Sequence, residues 1–363
     1  MDKILKYFKS FGFITWIILI AIICFIFVSI LKILPYFSFL DMRAGFDIGQ
    51  SVLAYTPDNT YWWAILVGLV NSLYVSIICI VISSFVGFFI GLGRISKNWL
   101  LARLCGLYVE IFRNIPLLLI ILIFYFLILF LLPDVRQSYN LGGILFLNKR
   151  GLHFPQIAYF SLFLPLLLAA LIAVYYFIVP RITVKYIKIF YILSFFGVIL
   201  LIAAFYLIMP VEYPRPSAFN ILGGGKWTPE FLALVLGISL YSASFCAEII
   251  RAGILSVDKG IIEASKSLGM SFWQIKQKIT MPIALRIIIP PLTNSYISLI
   301  KNTSLAVAIG FPDFVAVTST ILNQTSKAVE IVLLWFIVYG SLSLFVSFIM
   351  NYFNKNLYLQ KRR

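Results

Sequence analysis

Few residues in this chain of 363 are of a type and spacing that could do covalent chemistry. The only histidine, His153, lies in a loop, so no Ser/His/Asp set can be assembled and a metal site is disfavoured. Cys24, Cys79, Cys105 and Cys246 sit in or beside apolar runs without a C-x-x-C pair, which reads as small core residues rather than a disulfide framework or metal centre. No two carboxylates are placed as an acid–base pair. The run Gly223–Lys226 (GGGK) resembles a phosphate loop. However, a P-loop needs glycine six residues before the lysine and Ser or Thr after it, and Asn220 and Trp227 occupy those places. The sequence therefore offers no catalytic residue, no metal ligands and no ATP site of its own.

The most informative spacing is polar and structural. Residues 260–282 (GIIEASKSLGMSFWQIKQKITMP) form the longest strongly polar interval in a very apolar chain. Asp258 is a cap for a short helix, and Gly269, directly after Leu268, can end that helix in a left-handed turn. Ser271 and Gln274 have the S-x-x-Q spacing of a capping box, which starts a second short helix carrying Trp273, Ile275 and Ile279 among Gln274, Lys276 and Lys278. Pro282 stands where the next apolar run begins, in a first turn that does not need its N–H. The stretch thus reads as helix, sharp turn, helix: a knob projecting between two apolar runs.

Those runs set the class. Hydrophobic residues are 62% of the chain and charged residues 12%, with mean hydropathy +1.02, whereas soluble domains carry about 45–50% and about 25%. The chain reads as an all-α integral membrane protein with about eight spans: 11–34, 64–93, 115–132, 157–179, 190–209, 231–250, one from about 283 into the 300s, and 329–352. The first run is too long for a signal peptide and lacks a small-residue cleavage site, so it is expected to remain as a span. Net charge is +16, but the basic residues are spread among loops, so they indicate topology and not a nucleic-acid surface. Alternating the loops places 20 Lys and Arg on one side and 7 on the other, with Lys32 and Lys301 at span ends. The basic side is cytoplasmic, and it holds the knob and both termini.

On these residues the chain resembles the permease subunits of ATP-binding-cassette importers. Their EAA signature is matched in spacing by Glu263, Ala264, Gly269, Ile279 and Pro282, with Ser265 in place of the second Ala and Met281 in place of Leu. Residues 241–260, 299–314 (Asn302 replacing the family Asp) and 108–119 resemble segments of the polar amino-acid permeases. Residues 43–57 and the long insertion resemble a permease of the general L-amino-acid transporters of Gram-negative bacteria. The resemblance implies a type I five-span core with an extra N-terminal span and an inserted pair. The expected divisions are 1–63, 64–132, 133–228, 229–352 (with the knob region at 251–286) and a basic tail, 353–363.

The resemblance also implies partners. These are two copies of an ATPase, which uses the ATP and receives the knob (the coupling helix), a second permease subunit that differs from this one, and a periplasmic amino-acid-binding protein. All would assemble in the lipid of the inner membrane. Within the knob the resemblance gives Gly269 the turn and Glu263 the helix-surface contacts. For the substrate path, polar residues in apolar spans are the candidates, because they face protein or water. Glu248 lies near the cytoplasmic end of its span and either faces the path or pairs with Arg251. Lys301, Asn302, Thr303 and Ser304 interrupt a span beyond Pro290 and Pro291, a pattern that predicts a bend with irregular backbone. Asn294, Ser298 and Asn302 share one helical face, expected to look inward, toward substrate or toward the partner permease. Arg113 and Asn114, next to Pro116, are expected to anchor a span at the interface. An importer permease for an opine or a small peptide would satisfy the same motifs. A secondary transporter would need an inverted repeat and ionisable relays, and neither is visible.

Overall fold

Thr60 starts the first long helix: its side chain accepts the N–H of Trp63, and α1 (Tyr61–Arg94) then runs for 34 residues, about 51 Å at 1.5 Å per residue. The computed structural model describes residues 34–157, 211–217 and 220–359. Apart from end residues 34 and 157, the expected spans at 11–34, 157–179 and 190–209 lie outside the described residues.

Asn98 caps α2 (Trp99–Asn114), accepting from the N–H groups of Leu100 and Leu101. Pro116 disfavours helix at the residue before it, and Ile115 is extended there. The chain resumes as α3 (Leu117–Leu131), bent by 105° from α2. The stretch 94–113, read as a basic and amphipathic connection between spans, is mostly the helix α2. Next comes α4 (Pro229–Leu255), capped by Thr228 with proline in its first turn. The knob helices α5 (Lys259–Ser267) and α6 (Phe272–Ile275) follow, then α7 (Met281–Asn302), α8 (Phe314–Thr325) and α9 (Ala328–Leu359). Four helical stretches are individually long and apolar enough to cross a membrane, and the bent α2–α3 pair makes five among the described residues.

The all-α expectation needs correction at 133–228. Strands β1 (Tyr139–Leu141), β2 (Leu145–Asn148), β3 (Gly151–Phe154) and, after β4 (Gln156–Ile157), β5 (Val211–Glu212), β6 (Arg215–Pro216) and β7 (Ile221–Leu222), β8 (Gly225–Trp227) are all present. An antiparallel sheet has the order β1-β2-β3-β8, with His153 opposite Phe146 on one side and Lys226 on the other; β4 pairs with β5 and β6 with β7. Strands of two to four residues are too short to show a two-residue period, so only their glycine turns are visible in sequence.

Packing is closest where side chains are smallest. A Cβ on Gly87 of α1 would lie 2.6 Å from Cys246 Cβ of α4, and one on Gly91 would lie 2.8 Å from the Ala247 carbonyl oxygen. Small residues four apart let two helix backbones approach, as membrane helices favour. Ile121 of α3 fits against Gly237, and Ile288 of α7 against Gly253. The expected loop after 305 is instead a 3-10 turn, Thr303–Ile309, ending at Gly310 and followed by α8. Its seat is polar and internal: Ser72 Oγ accepts from Phe314 N–H (2.9 Å), and Asn71 donates to the carbonyls of Gln50 and Pro312. Trp335 of α9 closes over α8 by donating to Thr318 Oγ1 at 2.7 Å.

Candidate functional site

The knob is built from its caps. Asp258 accepts from Gly260 N–H and starts α5. At the other end Gly269 has φ +73°, Met270 N–H bonds to Ser265 O (3.2 Å) and Gly269 N–H to Lys266 O (2.9 Å). That pair of bonds is a Schellman ending, which requires a left-handed residue at Gly269. Ser271 Oγ then accepts from Gln274 N–H while Gln274 Oε1 accepts from Ser271 N–H, so the capping box is closed in both directions.

The second helix is shorter than its sequence suggests. After one turn it passes through a π turn, Lys276–Thr280, in which Met281 N–H reaches Lys276 O, and joins α7 without a break. The widened turn lies immediately ahead of Pro282, where a proline ring would crowd a regular α turn. The second knob helix and the span are consequently one continuous helix.

Burial divides the knob into a seat and a tip. Val257 and Ile262 pack with Ile250 of α4 and Ala284 and Ile288 of α7, and Ile275 is buried as well. Ser265 is buried and satisfied, its hydroxyl donating to Ile261 O at 2.7 Å. Ile279 and Pro282 are half-buried. Outward face Glu263, Ala264, Gly269, Ser271 and Gln274, together with Leu268 (82% exposed), Phe272 (64%) and Trp273 (76%). Three large apolar side chains are thus left uncovered at the tip of a polar loop.

The intramembrane candidates separate into three groups. Glu248 is engaged by two guanidiniums: Arg94 forms an ion pair with Oε2, and Arg251 Nη2 lies 2.6 Å from Oε1. Asn294 and Ser298 are exposed and Asn302 half-buried, so the helix face they share is not covered by this chain's own described helices. Thr303, another candidate for the path, is fully buried in this conformation and donates to Ile300 O at 2.8 Å. Ser304 is half-buried and turned back onto Lys301 O. The backbone irregularity expected at 301–304, beyond Pro290 and Pro291, is present. Helix α7 continues through both prolines and changes to 3-10 only at Thr303.

Sequence reasoning missed what the α2–α3 break encloses. A cavity of about 400 Å³ sits there, with Arg94, Glu110, Arg113, Asn114, Phe245 and Glu248 in its wall. Arg113 lies over the Phe245 ring at 5.2 Å, and Tyr108 of α2 ties the same region to α4 by donating to Leu240 O (2.6 Å). The signal available in sequence was the charged cluster Glu110–Arg113–Asn114 immediately before Pro116. A second cavity, about 580 Å³, opens at the far ends of α4 and α8, with Asp47, Gln50, Glu230, Ser319 and Asn323 in its wall.

Comparison with known proteins shows the family of the chain. Residues 157–358 match the family described as binding-protein-dependent transport system inner membrane component. The general L-amino acid transport system permease protein AapQ of Rhizobium johnstonii is 44% identical over 340 residues, covering 90% of this chain and 84% of the relative. The putative amino-acid ABC transporter permease protein YhdX of Escherichia coli is 40% identical over 90% of this chain and 86% of its own length. The glutamate/glutamine/aspartate/asparagine transport system permease protein BztB of Rhodobacter capsulatus is 32% identical over the same shares.

Proposed function

This chain belongs to the binding-protein-dependent transport system inner membrane components, and from that premise we propose that residues 260–282 are the lever through which an ATPase partner drives it. The chain is a non-catalytic permease subunit of an ABC importer and translocates amino acids across the membrane. Its range is broad among L-amino acids, in keeping with the general transporters it resembles. ATP is bound and split by two copies of the ATPase. A distinct second permease faces the open side of α7 that carries Asn294, Ser298 and Asn302. A binding protein delivers solute from outside, where the larger cavity opens. The membrane is the bacterial inner membrane, with both termini in the cytoplasm.

The observation that carries the lever is the contrast between a fixed base and an apolar tip. Schellman turn, capping box and continuous π turn hold α5 and α6 rigidly against α4 and α7, while Leu268, Phe272 and Trp273 remain uncovered. A rigid arm transmits displacement of its tip to the spans; a slack loop would absorb it. Co-purification tests the docking. Leu268→Asp combined with Trp273→Ala is expected to reduce recovery of the ATPase with the permease at least about tenfold, since interface anchors of this type each carry about 2 kcal/mol or more. Undiminished recovery from membranes containing normal amounts of the variant would refute it.

A further inference from the structure

We propose that residues 46–53, the tip of the loop ahead of α1, are a clasp across the outer mouth of the transport path, with Gln50 and Asn71 as its positioning residues. The proposal rests on the importer reading above and deepens it. The neck of the loop is closed by pairing with itself. Ala44 N–H bonds to Asn59 O, Gly45 N–H bonds to Pro57 O, and Arg43 forms an ion pair with Asp58. The tip reaches over the cavity of about 580 Å³, where residues 46–50 form one wall and Glu230, Pro312, Ser319 and Asn323 stand in the others. There it is tied to three elements. Gln50 Oε1 accepts from the N–H (3.2 Å) and the hydroxyl (2.7 Å) of Thr228, the cap of α4. Asn71 of α1 donates to Gln50 O at 2.9 Å and accepts from Val52 N–H at 3.1 Å. The same Asn71 amide donates to Pro312 O at 2.9 Å, just ahead of α8.

The kind of bond marks the tip as a part that moves. Between Gly45 and Thr60, Ile48 is the one buried side chain, so the tip is held mainly by hydrogen bonds. Such bonds are nearly balanced by the water bonds they replace, so the tip can lift without exposing a core. An element held by apolar burial would lose the whole of that burial on opening. Asn71 is 1% exposed, and both its amide hydrogens and its oxygen are engaged. An amide buried in an apolar span needs those partners. Once Gln50 and Val52 withdraw, water must replace them, so lifting the clasp and wetting the mouth are one event. Helix α7 continues from the π turn of the knob to Asn302, and the 3-10 turn carries the chain on to Gly310, two residues before Pro312. A shift of α7 therefore reaches the clasp through the bond between Asn71 and Pro312 O.

The test uses the complete complex in proteoliposomes, with a chain freed of its own cysteines. Gln50→Cys and Thr228→Cys are introduced together and joined by a short, reducible bis-methanethiosulfonate, which fixes the tip to the start of α4. Uptake of labelled L-glutamine by complexes shown by mass to be joined is expected to be at least about tenfold below that of the same complexes after reduction. The reagent on either single cysteine should change uptake little, which separates fixing the tip from filling the mouth. A second measurement needs no cross-link. Gln50→Leu removes the acceptor and favours the open mouth, so ATP hydrolysis without the binding protein should rise about fivefold or more. Gln50→Glu keeps the acceptor and should reverse most of that rise. Two outcomes overturn the clasp: joined complexes that transport as well before reduction as after it, or a Gln50→Leu complex whose hydrolysis depends on the binding protein as the unsubstituted one does. ATP-driven uptake by the unsubstituted complex is recorded in parallel. If uptake is present while the clasp fails, the importer reading stands; if there is none, both fall.

Discussion

At the scale of single residues, the knob depends on one backbone angle. Gly269 has φ +73°, and a Cβ added there would meet nothing within 4 Å, so alanine brings conformational strain without a clash. Gly269→Ala should cost about 1 kcal/mol, a fall of several degrees at most in the unfolding temperature of the purified protein. Gly87 presents the opposite case, because its new Cβ would collide with Cys246. Gly87→Val is expected to destabilise by about 1–3 kcal/mol and to lower the yield of monodisperse protein more than Gly269→Ala does. Equal thermal stability of the two variants would contradict this account of helix contact.

His153 gives a pH prediction. Burial, and secondarily the Lys226 charge across the strand, hold its pKa below the ordinary 6.5. The unfolded segment therefore binds the proton more readily than the folded sheet does, and stability falls as pH drops below about 6.5 toward the folded-state pKa. Hydrogen exchange of residues 145–154 should accelerate between pH 7 and pH 5 after correction for intrinsic rates, and His153→Gln should remove that acceleration.

At the scale of elements, much of the architecture was legible and the exceptions have definite causes. The spans at 64–93, 231–250 and 329–352 correspond to α1, α4 and α9 because runs of that length leave few alternatives. The caps of the knob were readable to the residue, since Asp258, Gly269, Ser271 and Gln274 act through their nearest neighbours, whereas the π turn at Lys276–Thr280 was not. Helix α8 was hidden because its stability is tertiary. Its cap, Asp313, accepts from Ala316 N–H, but its seat on Ser72 and its cover by Trp335 join residues far apart in the chain. The burial of Thr303 was hidden for the same reason. A threonine beside a lysine reads as polar lining until packing shows which way it turns. The α2–α3 cavity required the 105° bend, of which Pro116 gave only the position.

At the scale of the whole molecule, the two ends of α4 carry different structures. The basic side carries the knob; the opposite side carries the antiparallel sheet and the larger cavity, whose wall includes Asp47 and Glu230. Cysteines introduced singly into a chain freed of its own cysteines test this sidedness. Gly269→Cys should react with an impermeant maleimide only in inside-out vesicles, and Asn140→Cys on the exposed edge strand β1 only in right-side-out cells. Both labelling from one side would overturn the topology and the docking of the ATPase with it.

The central claim is that movement of the knob powers transport, and ATP-driven uptake with Gly269→Pro tests it most directly. Proline cannot adopt φ +73°, so the Schellman turn is lost while the spans keep their sequence. Proteoliposomes containing the permeases, ATPase and loaded binding protein are predicted to accumulate labelled amino acids only with the unsubstituted chain, at matched amounts of inserted protein. Uptake that survives the substitution, or that follows a proton gradient in the absence of ATP, would contradict the account.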